Sequence, residues 1–141
     1  MEDSPVAFGL PHRDPFVFID QVIEAVPGRA ATCRKVFAET EPFFRGHFPG
    51  DPLVPGVILT EALAQTAGIA AGRPGTGASY RLSAIRQMKF LKPVRAGDEI
   101  VLAAEKAVEI AGMLQFKVTA RVGEETVAEG SIVLSCHQNA G

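Results

Sequence analysis

The sequence predicts an α+β fold in which a curled antiparallel sheet wraps around one long central helix. Three observations predict it: an apolar segment without a polar face in the middle of the chain, strand-like segments on both sides of it, and turn signals between those segments. A helix that is apolar on nearly every face must be covered by other elements. The flanking strands can cover it only if their sheet curls around it.

The central helix is predicted over Val57 to Ala71, VILTEALAQTAGIAA, which is rich in the helix formers Ala and Leu. Before it lie two strand-like runs, Phe16 to Val26 and Ala30 to Ala38, joined by a proline-glycine turn as in a hairpin. The segment Glu39 to Gly56 holds four prolines and three glycines. That density excludes a regular helix or strand and predicts a shaped loop.

Four strand-like runs follow a glycine-rich connection over Gly72 to Ala78. They are Tyr80 to Phe90, Glu99 to Val108, Met113 to Val122 and Thr126 to Leu134. The third run alternates apolar and polar residues, which predicts an antiparallel strand with one face in water. Two strands, a buried helix and four strands are the order of a hotdog fold, and residues 1–141 are expected to form a single such domain. Its sheet has open edges, so pairing into a dimer is expected.

The composition is that of an ordinary globular protein, with 47% apolar and 21% charged residues. A formal net charge of -2 gives no sign of a nucleic-acid partner. The apolar helix is too short and too polar for membrane insertion. The first ten residues carry no secretory signal, so the expected location is cytoplasmic. Cys33 and Cys136 are expected to be buried free thiols.

Two titratable residues are candidates for acid/base chemistry. His47 lies in FRGHFPGDPLVPG, where prolines and glycines restrict the backbone and hold the histidine in place. The alternative is a surface-loop histidine without a role. Glu61 lies in the second turn of the apolar helix, where little water reaches a carboxylate. It is a candidate for proton exchange with a substrate; the alternatives are that it pairs with a buried Arg or Lys or simply emerges at the helix end.

The same helix offers candidates for ligand binding. Its first N–H groups, at Gly56 and Val57, have no intrahelical partners and could stabilise negative charge on a bound carbonyl oxygen. Gln65 shares the helix face of Glu61, and Gly68 continues that stripe without a side chain. This pattern suits a groove for a thin, mostly apolar ligand. For Gln65 the alternative is a core amide bonded to backbone.

A basic stretch follows the glycine-rich connection. From Arg81 to Arg95 five basic residues occur without an acid, in a chain that is net negative; the other three are Arg86, Lys89 and Lys92. This asymmetry predicts that Arg86, Lys89, Lys92 and Arg95 dock an acidic partner protein. The alternative is a solvated strand face and turn.

The segment GHFPGDPLVPGVILTEALAQ resembles the active-site segment of the FabZ-type 3-hydroxyacyl-(acyl carrier protein) dehydratases of the hotdog-fold superfamily. LPHRDPFVFIDQV, EPFFRGHFPG and KFLKPVRAGDEI extend the resemblance over most of Leu10 to Val108. It implies a lyase that removes water from a 3-hydroxyacyl thioester on acyl carrier protein to give the trans-2-enoyl thioester. The pathway would be fatty-acid biosynthesis or a related specialised acyl or polyketide pathway.

In that family the histidine of GHFPG removes the α proton, the helix glutamate handles the 3-hydroxyl, and the glycine before the helix donates its N–H to the thioester carbonyl. The resemblance assigns these roles to His47, Glu61 and Gly56, with His47 and Glu61 spaced 14 residues apart as the family pattern requires. A glutamate, where the FabA type has aspartate, favours dehydration without obligatory isomerisation. The resemblance also implies homodimers with composite active sites, which could assemble into a hexamer, a trimer of dimers.

No cofactor is expected, because an elimination by an acid/base pair requires none; the substrate would be carried on the phosphopantetheine of a carrier protein or CoA. The three histidines lack metal-ligand spacing, so no metal site is expected, and His12 is expected to cap local structure. Asp14 replaces a usual aromatic residue and the connection from Gly72 to Ala78 is short for the family; both are expected to reshape the substrate entrance. Two other functions stay open: a hotdog acyl thioesterase, against which the pairing of a histidine with a glutamate argues, and a catalytically idle acyl-binding subunit.

Overall fold

The structure is a computed structural model that describes residues 4–75 and 77–138. In chain order its elements are a 3-10 helix (Val6–Phe8), β1 (Gln21–Val26), β2 (Ala30–Val36), a second 3-10 helix (Pro42–Arg45), α1 (Gly56–Ala71), β3 (Ala78–Phe90), β4 (Glu99–Ile110), β5 (Met113–Val122) and β6 (Glu125–Gln138). The predicted order of two strands, one helix and four strands is confirmed. Residues 1–3 of the amino-terminal segment, in which no secretory signal is expected, and residue 76 of the glycine-rich connection lie outside the described residues.

The six strands form one antiparallel sheet in the order β1-β2-β4-β5-β6-β3. β4, β5 and β6 form a meander, and β3 pairs with the side of β6 that faces away from β5. The two edge strands of the sheet are therefore β1 and β3. Helix α1 contacts all six strands. A single helix can do so only because the sheet curls around it, as the hotdog fold requires.

The core lies between α1 and the sheet face that covers it. Of the 16 residues of α1, 11 are buried. The predicted alternation of β5 is confirmed, since Leu114, Phe116, Val118 and Ala120 are all buried while the residues between them are more exposed. Each buried Leu, Phe or Val side chain contributes roughly 1.5–3 kcal/mol relative to exposure. The helix is therefore held by apolar packing on nearly every side.

The first strand is shorter than predicted, because it begins at Gln21 and not at Phe16. The side chain of Gln65 explains the difference. Its Oε1 accepts a hydrogen bond from the N–H of Phe18 at 2.9 Å, and its Nε2 donates to the carbonyl oxygen of Phe16 at 3.0 Å. The backbone at Phe16 and Phe18 thus forms hydrogen bonds with the Gln65 side chain of the helix, and it does not pair with a neighbouring strand there.

The prediction of two buried thiols is right for Cys33 and wrong for Cys136. Burial raises the pKa of the Cys33 thiol to about 11. Cys136 is exposed because β6 ends with three exposed residues beyond its buried stretch.

The edge strand β3 is irregular. Its pairing with β6 shifts register twice, between Leu82 and Ala84 and between Ile85 and Gln87. Next to the second irregularity, paired with Met88, lies Gly130 of β6, where an added Cβ would collide with the Gln87 carbonyl oxygen and lie 2.5 Å from the sulfur of Met88. The glycine therefore permits the close approach of the two backbones at this point.

Candidate active site

The loop before α1 holds His47 through its backbone. The N–H of His47 donates to the carbonyl oxygen of Phe43 at 3.0 Å, and the carbonyl oxygen of His47 accepts from the N–H of Leu53, also at 3.0 Å. A further bond at 2.7 Å, from the N–H of Val54 to the carbonyl oxygen of Val94, ties the loop to the segment between β3 and β4. The imidazole stacks on the ring of Phe48 with centroids 4.0 Å apart. The histidine is held as the sequence predicts.

The hydrogen bond of the His47 ring defines which nitrogen can react. Nδ1 lies 2.9 Å from the carbonyl oxygen of Leu53. Because a carbonyl oxygen can only accept, Nδ1 carries the hydrogen of the neutral ring. Nε2 then keeps its lone pair and can take a proton from a ligand.

His47 shares a cavity of about 330 Å³ with Gly56, the first residue of α1. The helix begins after Pro55 without a side-chain cap. Across residues 4–75 and 77–138, the N–H groups of Gly56 and Val57 have no hydrogen-bond acceptor. The cavity therefore combines a proton acceptor with free backbone donors at the positive end of a helix.

Gly56 leaves room for an aromatic ring. A Cβ at this position would lie 3.0 Å from the ring of Phe90, at the end of β3. Within the chain, it is thus Phe90 that approaches the backbone of Gly56 closely. Val57 is 77% exposed, so its side chain contributes little to packing within the chain.

Glu61 lines a second cavity, of about 380 Å³. Its side chain is 21% exposed. Oε2 accepts a hydrogen bond from Nε2 of Gln65 at 3.0 Å and lies 3.4 Å from Nε2 of His12. No Arg or Lys among the described residues forms an ion pair with it, so the alternative of a buried pair with a basic residue is wrong.

Gln65 uses all of its polar groups. The side chain is 1% exposed, and besides its two bonds to backbone it donates to Glu61. The alternative of a core amide bonded to backbone is therefore confirmed, and the same amide also orients the carboxylate. Gly68 lines the same cavity as Glu61 and Gln65, so the predicted stripe does face one groove.

Sequence reasoning missed the position of His12. It was expected to cap local structure, but its ring lines the cavity of Glu61 and points Nε2 toward that carboxylate. Burial lowers the pKa of His12; Glu61 opposes this shift and Arg13 adds to it. The available signal was the place of His12 in LPHRDPF, one of the segments that carry the family resemblance.

The structure does not bring His47 and Glu61 into one cavity of the chain. His47 is among the lining residues of the smaller cavity and Glu61 among those of the larger one, and neither cavity is lined by both. The candidate acid/base residues of a single chain are thus separated.

The four predicted docking residues are all exposed but differ in their partners. Lys92 forms an ion pair with Glu125, and Arg95 forms one with Asp51. Arg86 and Lys89, on the edge strand β3, form no ion pair with any residue that the structure describes.

The two departures from the family pattern lie differently with respect to the cavities. Gly72 and Pro74, in the short glycine-rich connection, line the cavity of Glu61. Asp14 is exposed and does not line it. The connection can therefore affect the shape of the cavity directly, whereas Asp14 cannot.

In the two described ranges, no helix is long and apolar enough to cross a membrane. Nor does any group of three or more His, Cys, Asp or Glu side chains there stand close enough together to hold a metal ion.

A curled antiparallel sheet around one buried helix defines a hotdog-fold protein. In this chain a histidine lies in the loop before that helix and an acid in its second turn. The family model of the FabA-like domain matches residues 10–131. The chain therefore belongs to the FabA-like family.

Curated relatives match almost the whole chain. A 3-hydroxyacyl-[acyl-carrier-protein] dehydratase FabZ from Sodalis glossinidius is 38% identical over 135 residues, which cover 93% of this chain and 89% of the relative. A protein of the same name from Ruminiclostridium cellulolyticum is 44% identical over 125 residues, covering 87% and 88%.

Solved structures support the fold. The dehydratase heterocomplex ApeI:P from Xenorhabdus doucetiae aligns with a TM-score of 0.77 at 18% identity, covering 97% of this chain and 92% of the other. An HP0420-homologue from Helicobacter felis aligns with a TM-score of 0.72 at 19% identity, covering 100% and 96%.

Proposed function

We propose that this chain is a 3-hydroxyacyl-(acyl carrier protein) dehydratase, a lyase of fatty-acid biosynthesis or a related acyl or polyketide pathway. The observation that carries the proposal is the identity of 38–44% to dehydratases of this name over 87–93% of the chain. The site adds chemical support, because His47 presents a free Nε2 beside unpaired helix N–H groups and Glu61 presents a carboxyl group to a cavity.

The reaction is a β-elimination. Nε2 of His47 takes the proton from C2 of the 3-hydroxyacyl thioester, and the electrons of that C–H bond form the C2=C3 double bond. The C3–O bond breaks, and the hydroxyl leaves as water after taking a proton from Glu61. The N–H groups of Gly56 and Val57 stabilise the charge that develops on the thioester oxygen. Atoms and electrons of this proposed step balance without a cofactor.

We propose further that each active site is shared by two subunits of a homodimer, with His47 from one and Glu61 from the other. Two observations support this arrangement. The two residues line different cavities of one chain. Large apolar side chains are exposed around the cavity of His47, among them Phe48, Val57, Phe90 and Leu91, and a second subunit would cover them. The hexamer, the cytoplasmic location and the single domain over residues 1–141 stay predictions.

The function is tested by the reverse reaction, hydration of crotonyl and longer enoyl thioesters on carrier protein and on a small thiol. We expect the ultraviolet absorbance of the conjugated enoyl group to fall without release of free thiol, and a thiol reagent added in parallel checks the second point. Thiol release would identify a thioesterase. Unchanged absorbance at every chain length would identify an idle acyl-binding subunit. Either result overturns the proposal.

Carrier docking depends on the basic residues of β3, since Lys92 and Arg95 already have acidic partners within the chain. Reversing the unpaired Arg86 and Lys89 to Glu is expected to raise KM for the carrier-bound substrate by about tenfold at low salt and to weaken its salt dependence. The small-thiol substrate should be unaffected. Steady-state kinetics on both substrates across a salt series measures this.

The matched control for docking reverses Arg29 and Lys117, two exposed basic residues outside the basic stretch, and gives the same change of net charge. It should leave both KM values near those of the unmodified protein. An equal rise of KM for the two substrates, or an equal effect of the control pair, would argue against a docking site on β3.

A further inference from the structure

The ring of His12 lies between Phe16 and Glu61. It stacks on Phe16 with centroids 6.0 Å apart and an interplanar angle of 18°. Nε2 lies 3.4 Å from Oε2 of Glu61. Nδ1, on the other side of the ring, is buried and has no hydrogen-bond partner among the described residues. The two ring nitrogens therefore have very different surroundings.

These surroundings favour one protonation state of His12. A charged imidazolium would carry a hydrogen on Nδ1, and that buried hydrogen would have no acceptor. A neutral ring with its hydrogen on Nε2 directs its one donor toward Glu61. Burial lowers the pKa of His12, and the charged groups that act on it are Glu61, which opposes the shift, and Arg13, which adds to it. The unpartnered Nδ1 and the burial of the ring thus both favour a neutral donor, against the pull of the Glu61 charge.

Gln65 hydrogen-bonds to Oε2 of Glu61, and the ring of His12 lies close to the same oxygen. Gln65 donates to Oε2 at 3.0 Å, and His12 approaches that oxygen from a second direction. Oε1 receives no hydrogen bond from any residue in the described ranges. When the carboxyl group is protonated, Oε1 is therefore the favoured position of its hydrogen, because Oε2 accepts from Gln65 and faces His12.

We propose that His12 is a positioning residue that, together with Gln65, fixes Oε2 of Glu61 and leaves Oε1 as the oxygen that exchanges a proton with the substrate. This inference rests on the proposed function of Glu61 as the acid of the dehydration. It gives the segment before β1 a part in the active site, since that segment carries one donor, His12, and anchors the other through the backbone of Phe16 and Phe18.

The test uses two amides of different length. In His12→Gln the side-chain N–H₂ falls near the place of Nε2 and can still reach Glu61, whereas in His12→Asn it falls near Nδ1, where there is no acceptor. We expect His12→Gln to keep kcat within about threefold, and His12→Asn and His12→Leu to lower kcat by about 10- to 100-fold with KM nearly unchanged, because the acid is misplaced and substrate binding is not.

Further measurements separate positioning from other roles. His12→Leu should have no additional effect on kcat in a Glu61→Gln background, whereas damage to the fold would slow both backgrounds alike. Equal activity of the Gln and Asn variants would overturn the proposal. If the Gln variant is as slow as the Leu variant, His12 exchanges protons itself and is not a positioning residue.

A readout without turnover keeps this inference separate from the proposed function. The ¹⁵N chemical shifts of the His12 ring report its tautomer at neutral pH, and we expect a neutral ring with the hydrogen on Nε2. A charged ring or a hydrogen on Nδ1 would overturn the positioning role even in a protein that hydrates enoyl thioesters. Absence of hydration by the unmodified protein, with the expected tautomer present, would instead overturn the function.

Discussion

Replacing His47 by Ala, or Glu61 by Gln, is expected to lower kcat by roughly 10²- to 10⁴-fold, because each change removes a positioned proton-transfer group. The fold should persist. His47 lies in a loop that its backbone bonds hold in place, and an amide at position 61 can still accept the hydrogen bond from Gln65 through its oxygen. Steady-state hydration kinetics gives the rates, and thermal unfolding at equal protein concentration checks the fold.

The matched control for His47→Ala is His137→Ala, since His137 is exposed near the end of β6 and lines neither the cavity of His47 nor that of Glu61. The control for Glu61→Gln is Glu24→Gln on the exposed side of β1. Both controls should keep near-normal activity. Retention of a tenth of the activity by either active-site variant would contradict the role assigned to that residue.

Mixing two inactive variants is expected to restore activity. In a heterodimer of a His47→Ala chain and a Glu61→Ala chain, a shared-site arrangement puts both substitutions in one site and leaves the other site intact. Random co-folding makes half of the dimers heterodimers, each with one working site of two. Activity should therefore return to at most about a quarter of that of the unmodified protein.

A matched mixture controls for this experiment. Co-folding His47→Ala chains with chains that carry both His47→Ala and Glu61→Ala produces heterodimers in which no site contains His47, so activity should stay at the level of the single variant. Native mass spectrometry verifies that heterodimers form in both mixtures. If they form and the first mixture remains inactive, both residues act within one chain and the shared site is wrong.

Local patterns predict the elements well. The predicted helix differs from α1 by one residue, because Pro55 and Gly56 at its start and Gly72 at its end are signals that lie next to it in the sequence. The strands of the meander follow from alternation and turns in the same way. The start of β1 does not, because it depends on Gln65, a residue of the helix that takes the backbone groups of a distant segment.

The site could be predicted only in part for the same reason. The surroundings of each residue in the sequence single out His47 and Glu61, but no local pattern shows that His12 lies beside Glu61 or that Lys92 and Arg95 pair with Glu125 and Asp51. These contacts depend on the pairing of distant segments in the folded chain. Likewise, spacing along the chain does not reveal that His47 and Glu61 line different cavities; that follows from geometry.

The close approach of two backbones at Gly130 limits what mutation can do at that position. Every single-base change that replaces a glycine codon by another amino acid introduces a β-carbon, and here the β-carbon would meet the Gln87 carbonyl oxygen and the sulfur of Met88. The path of β3, which presents Arg86 and Lys89 at the sheet edge, is thus encoded partly by a residue of the neighbouring strand. If the basic residues of β3 are functionally important, Gly130 should therefore be conserved among relatives, although it is not itself on the surface of β3.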